Sequence, residues 1–181
     1  MNGLREAPSG AAPAGAAPAP SGHVVVIGVG NEFRSDDGVG LVIARRIRER
    51  VPATVAVVEA SGEGAALLDA WQGATLAILC DAAHSGADPG TVLRMDALAM
   101  PIPFGCFRYS THAFSVAEAI ELGRVLGTLP ARLLVYGIEG TGFAPGIGLS
   151  APVTRAADAV IAAVLADLDA ATPRPEESDD A

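Results

Sequence analysis

Runs of consecutive apolar residues alternate along the chain with segments in which apolar residues recur every three or four positions. The runs are typical of strands buried on both faces, and the spaced segments are typical of amphipathic helices. The predicted strands cover residues 24–27, 54–58, 74–80, 91–95 and 131–138. The predicted helices cover residues 38–50, a short segment around 67–71, a segment that begins after Ser115, and residues 152–170.

This alternation of strands and helices predicts the fold class. It is typical of an α/β protein, a three-layer α/β/α sandwich around a mostly parallel five-stranded sheet. The loop 81–90 is too short for the helical crossover that joins parallel strands, so we expect the strand at 91–95 to be antiparallel. Ser115 and Glu118 have the spacing of a capping box, which marks the start of the third helix.

The two ends of the chain differ in composition from the part between them. Residues 1–22 are a low-complexity run of alanine, proline and glycine, and residues 172–181 are polar and acidic. Neither segment has enough apolar surface to offset the entropy of ordering, so both are expected to be disordered. Residues 23–171 are then expected to form a single domain. We expect His23, at its start, to belong to the disordered edge and do not count it among the candidate functional residues.

Charge and composition exclude several classes of function. The formal net charge is −9, and the twelve basic residues are all arginine. A nucleic-acid partner is therefore not expected, and neither is the lysine chemistry of Schiff bases or of a Walker A phosphate loop. The apolar runs are too short to span a bilayer and the N-terminus lacks a signal-peptide pattern, so we expect a cytoplasmic protein without a membrane partner.

The segment 28–40, GVGNEFRSDDGVG, joins the first strand to the first helix. Its Gly-x-Gly resembles half of a dinucleotide fingerprint, but Phe33 occupies the place of the third glycine. Asp36 and Asp37 lie where helix amides would otherwise bind a phosphate, and like charges would repel it. The segment therefore suits a cation better than a nucleotide, although the two acids could also simply favour the helix N-terminus.

Other candidate ligands follow later strands. Asp81 comes at the end of the third predicted strand, Glu139 after the fifth, and His112 just before the third helix. Ligands of open α/β sheets bind beyond the carboxyl ends of the strands, where these loops meet. A carboxylate of the segment 28–40, that of Asp81 and the imidazole of His112 come from three loops and form a ligand set that suits nickel, zinc, manganese or iron and leaves coordination positions open. An incomplete set of three ligands is consistent with an ion that a partner delivers.

Further candidates are less informative. His84 is better explained as a solvated loop residue, and Cys106 with His112 would be the pair of a cysteine-hydrolase alternative. Gly-x-Ser-x-Gly, HExxH and CxxC motifs are absent from the sequence, which argues against the commonest hydrolase and zinc sites.

Five blocks of the sequence, GVGNEFRSDDGVG, CDAAHSG, STHAFSVAEAI, VYGIEG and GIGLS, occur in this order. Together they resemble the endopeptidases that mature [NiFe]-hydrogenase large subunits, over about residues 24–168. The resemblance implies a peptidase that removes a C-terminal extension from the precursor of the large subunit after nickel insertion.

In that family the nickel belongs to the substrate and is the recognition element. The resemblance assigns its binding here to Asp37, Asp81 and His112, and implies no tightly bound metal of the protein's own. Many relatives have glutamate where this chain has Asp37, which is one methylene shorter. Asp36 or Asp81 is the candidate acid or base. The alternatives are a nucleotide-binding module and a non-catalytic nickel-binding maturation factor.

Overall fold

The computed structural model describes residues 23–103, 107 and 115–171. These residues form five strands, four α-helices and one 3-10 turn. In chain order they are β1 (His23–Val29), the 3-10 turn (Ser35–Gly38), α1 (Val39–Arg48), β2 (Val55–Ala60), α2 (Gly64–Ala70), β3 (Ala74–Ala83), β4 (Val92–Asp96), α3 (Val116–Leu126), β5 (Arg132–Glu139) and α4 (Ala151–Ala171).

The strands form one sheet in the order β2-β1-β3-β5-β4. Neighbours pair in parallel except β4, which runs antiparallel to β5. The predicted mostly parallel sheet with one antiparallel strand is therefore confirmed. Because β1, β3 and β5 are adjacent and parallel, their carboxyl ends lie at the same edge of the sheet.

Helices cover both faces of the sheet. Apolar side chains of α2 and α3, including Leu67 and Ile120, pack on one face together with Trp71, which directly follows α2. Those of α1 and α4, including Ile43 and Val160, pack on the other. The central strands are buried on both faces and so read as continuous apolar runs. This is the three-layer sandwich that the sequence predicted.

The start of α1 lies unusually close to the sheet. A Cβ atom at Gly40 would overlap with the backbone oxygens of Val29 and Cys80. Without a side chain at this position, the first turn of α1 can contact β1 and β3 directly. The close approach brings the 3-10 turn and its two acids to the carboxyl end of β3.

Three details concern the predicted boundaries. The apolar run predicted β3 to stop before Asp81, but the strand continues to Ala83, so Asp81 lies within it. His23 is the first residue of β1, not part of a disordered edge. The capping box of α3 is confirmed, because Ser115 Oγ accepts from the N–H of Glu118 and the Glu118 carboxylate accepts from the N–H of Ser115.

In the described part of the chain, no helix is long and apolar enough to cross a membrane.

Candidate functional site

Four charged side chains are buried in the described part of the chain, and all four lie at the carboxyl edge of the sheet. They are Asp36, Asp37, Asp81 and Glu139. The first two belong to the turn after β1, Asp81 lies near the end of β3, and Glu139 is the last residue of β5. Burial of a carboxylate is unfavourable unless it gains a partner, so this concentration indicates a site.

Asp37 and Asp81 form a coupled pair of acids. Burial raises the pKa of Asp81 well above 3.8, and the negative charge of Asp37 raises it further, although the N–H of Ala82 donates to Asp81 Oδ1 at 2.8 Å. Burial also raises the pKa of Asp37, against the opposing effects of Arg34 and the backbone of Asn31. Two carboxylates in such surroundings bind a shared proton or a cation.

Arg34 provides a positive charge beside this pair. Its Nε atom lies 3.8 Å from Asp37 Oδ2, and a quarter of its side chain, 25%, is exposed. That Nε atom is buried and has no hydrogen-bond partner among the described residues. Arg34 is not among the residues predicted from the sequence, because an arginine near two acids at i+2 and i+3 is a common surface pattern.

Asp36 has different surroundings from its neighbour. Its Oδ2 accepts hydrogen bonds from the backbone N–H groups of Thr141 at 2.8 Å and Gly142 at 3.3 Å. Its Oδ1 accepts from the N–H of Ser150 at 2.7 Å. Both oxygens thus connect the turn after β1 to the loop between β5 and α4. This arrangement favours a structural role, and the acid–base role suggested by the sequence stays a prediction.

Glu139 makes an equivalent connection to the loop after β3. One of its oxygens accepts from the N–H and the hydroxyl of Ser85, both at 2.8 Å, and the other from the N–H of Gly86 at 2.9 Å. The sequence placed Glu139 at the sheet edge but gave it no role. The sequence did contain an indication of this role, because the Ser85-Gly86 pair is typical of a turn whose N–H groups need an acceptor.

The loops around the acids form a rim with exposed apolar side chains. The N–H of Gly146 donates to the backbone oxygen of Phe33, and the N–H of Ser35 donates to that of Gly146, both at 2.9 Å. Phe33 is 64% exposed and Ile147 is 86% exposed. His84 is exposed and contacts Phe143 edge-on, with ring centroids 5.7 Å apart. The acid pair therefore lies beside a rim that includes accessible apolar side chains.

The structure brings together two of the three predicted ligands. Asp37 and Asp81 are neighbours, whereas His112 lies outside the described residues, as does Cys106 of the cysteine-hydrolase alternative. Within residues 23–103, 107 and 115–171, no group of three or more histidine, cysteine or acidic side chains is arranged to hold a metal. The acid pair by itself is a partial ligand set of hard oxygen donors.

The sequence is similar to several proteins of hydrogenase expression, formation and maturation. A family model described as hydrogenase maturation protease matches residues 39–167. The hydrogenase expression/formation protein HupD of Rhodobacter capsulatus is 29% identical over 118 residues, which are 64% of this chain and 56% of that protein. HupD of Thiocapsa roseopersicina is 26% identical, and the match covers 64% of this chain and 53% of the relative. The chain thus spans little more than half the length of these two relatives.

Other similar proteins match over most of their length. The hydrogenase 2 maturation protease of Escherichia coli is 27% identical over 148 residues, 80% of this chain and 90% of that protein. The solved structure of the E. coli hydrogenase maturating endopeptidase HybD has a TM-score of 0.70 and 25% identity, with 82% of this chain and 93% of that chain covered. The solution structure of an E. coli endopeptidase has a TM-score of 0.72 and 26% identity, with 87% and 99% covered.

Proposed function

The chain belongs to the hydrogenase maturation protease family, and on this premise we propose that it is an endopeptidase that acts on the precursor of a [NiFe]-hydrogenase large subunit. The proposed reaction removes the C-terminal extension of the precursor after nickel insertion. The nickel is part of the substrate and reports that the precursor is ready. We propose Asp37, Asp81 and His112 as the residues that recognise it.

The observation that carries this proposal is the buried pair of Asp37 and Asp81 at the carboxyl edge of the sheet. An enzyme that must detect a metal on its substrate needs ligands that do not complete a site alone, since a complete set would retain the ion. Two carboxylates meet that need. His112 would add a nitrogen donor, which nickel accepts readily.

The residues around the pair would serve the hydrolysis in separate ways. Asp37 and Asp81 must be ionised to bind a cation, and the cation would offset the burial that raises the pKa of both acids. The bound ion would supply positive charge next to the scissile peptide. A carboxylate, Asp81 or Asp36, would accept the proton of the attacking water and return it to the departing amine. Asp36 and Glu139 would hold the surrounding loops in position.

The test compares the purified protein on a nickel-loaded precursor and on the nickel-free precursor. Trimming is read by intact mass. We expect trimming only of the nickel-loaded form, and its loss in Asp37→Ala, Asp81→Ala and His112→Ala. Asp158→Ala is the matched control, because it removes an exposed carboxylate paired with Arg46 on the helical surface.

Equal trimming of both precursors would contradict the role of nickel. Trimming that survives all three substitutions would contradict the proposed site. If neither precursor is trimmed but the wild type binds nickel in a titration, the alternative of a non-catalytic nickel-binding maturation factor replaces the peptidase.

A further inference from the structure

We propose that Arg34 is a specificity determinant that lowers the affinity of the acid pair for free divalent metal ions. Its guanidinium would repel a hydrated cation that arrives alone, while a metal held by the precursor arrives with its own ligands and a protein interface. The inference rests on the proposed function, because it explains how a metal-detecting site avoids responding to metal in solution.

The backbone holds Arg34 at a fixed position beside the acids. Its N–H donates to the oxygen of Asn31 at 3.1 Å, and its own oxygen accepts from the N–H of Asp37 at 3.2 Å. Arg34 also forms an isolated β-bridge with Gly146. These contacts hold the backbone of Arg34 in place, and its side chain lies beside Asp37, with Nε 3.8 Å from Oδ2.

The guanidinium itself is held loosely. Its contact with Asp37 is an ion pair without hydrogen-bond geometry, and Nε has no hydrogen-bond partner in the described part of the chain. Other arginines are bound more tightly, since Arg45 Nε donates to Glu59 at 2.8 Å and Arg94 donates to Asp167 at 2.8 Å. A buried donor left unpaired is unfavourable. A guanidinium held by charge alone can be displaced when a stronger positive charge is brought to Asp37.

Charge at this distance has a large effect on metal binding. A divalent ion bound between Asp37 and Asp81 would lie within several ångströms of the Arg34 charge in partly buried surroundings, where repulsion is weakly screened. We expect the dissociation constant for a free ion to be raised about tenfold by this charge. The precursor can offset the repulsion with contacts that a hydrated ion does not make.

The experiment titrates nickel chloride into the full-length protein and measures affinity by calorimetry. Arg34→Gln removes the charge and leaves a shorter polar side chain, whereas Arg34→Lys keeps the charge. The matched control is Arg132→Gln, at the exposed start of β5. Arg132 lies five positions before Gly137, the partner of Asp81 in β3, or about 16 Å along the strand.

We expect Arg34→Gln to bind nickel about tenfold more tightly than the wild type. Arg34→Lys and Arg132→Gln should remain within about threefold, and adding Asp37→Asn to Arg34→Gln should abolish the gain. An Arg34→Gln protein that binds no more tightly than the wild type overturns the inference, as does a gain that survives Asp37→Asn. The titration needs no precursor. If the wild type failed to trim the precursor, the proposed function would be overturned, but the titration would still test the role of Arg34.

Discussion

Asp36 and Asp37 are adjacent in the chain, yet their carboxylates are held in different ways. Asp36 accepts three backbone hydrogen bonds from the segment between β5 and α4. Asp37 contacts the guanidinium of Arg34 and affects the ionisation of Asp81. The two adjacent acids thus have different partners, since Asp36 connects the turn to the loop between β5 and α4, and Asp37 lies beside Arg34 and Asp81.

We predict that Asp36→Ala destabilises the fold by about 2–4 kcal/mol, because three partly buried N–H groups would lose their acceptor. Urea unfolding monitored by circular dichroism would measure the change. Asp158→Ala removes an exposed carboxylate and should change the unfolding free energy by less than about 0.5 kcal/mol. Equal stability of the two variants would contradict the structural role of Asp36.

Glu139 should affect a different loop from Asp36. In Glu139→Gln, one acceptor oxygen is replaced by an amide NH₂ that cannot accept from Ser85 or Gly86. We expect amide exchange of those two residues to become about tenfold faster, which corresponds to a loss of about 1.4 kcal/mol in local stability. Hydrogen exchange read by NMR would test this. The amides of Thr141 and Ser150, which Asp36 binds, are the internal control and should not change.

Much of the fold followed from local pattern. The apolar runs identified the five strands, and the Ser115–Glu118 spacing identified the start of α3. The end of β3 was missed because Asp81 interrupts the apolar run, whereas pairing with β5 continues as far as Ala83 and Glu139. Long-range backbone pairing thus overrides the local signal at a site residue.

The candidate site was less accessible to sequence reasoning. The acids at the strand ends could be located, because parallel topology places those ends at one edge. Their roles could not be separated, because the donors that bind Asp36 lie more than a hundred positions away in the chain. Arg34 was overlooked because its importance depends on the burial of Asp37, which no local pattern reveals.

The contact between α1 and the sheet makes a third prediction. Gly40→Ala should destabilise the protein by at least about 3 kcal/mol, because the added Cβ would overlap with backbone oxygens of Val29 and Cys80. This loss should exceed the gain of about 1 kcal/mol that alanine brings to a helix. Urea unfolding of Gly40→Ala and of the wild type measures the net change in unfolding free energy. Gly142→Ala is the matched control, since its Cβ would meet nothing within 4 Å, and a loss there of similar size would contradict the explanation.

The fourth prediction concerns the dependence of stability on pH. Because burial and Asp37 raise the folded-state pKa of Asp81 above 3.8, the native state holds a proton more tightly there than the unfolded chain does. The ionised group therefore lowers stability above its folded pKa, and this effect disappears as pH falls below the unfolded value. Asp81→Asn is permanently neutral and can still accept from the N–H of Ala82. We expect it to be more stable than the wild type at pH 7.

The measurement is the difference in unfolding free energy between Asp81→Asn and the wild type, in EDTA, from pH 7 to pH 4. The difference should shrink as pH falls, since the wild-type carboxyl becomes protonated and resembles the amide. Taking a difference cancels the opposite trend of Asp167 and Glu59, whose pKa values are lowered by arginine partners. Asp158→Asn, on the exposed surface beside Arg46, is the matched control, and its unfolding free energy should differ little from that of the wild type. A stability advantage of Asp81→Asn that does not change with pH, or no advantage at pH 7, would contradict this explanation. Burial of the Asp81 charge would then not lower the stability of the metal-free protein.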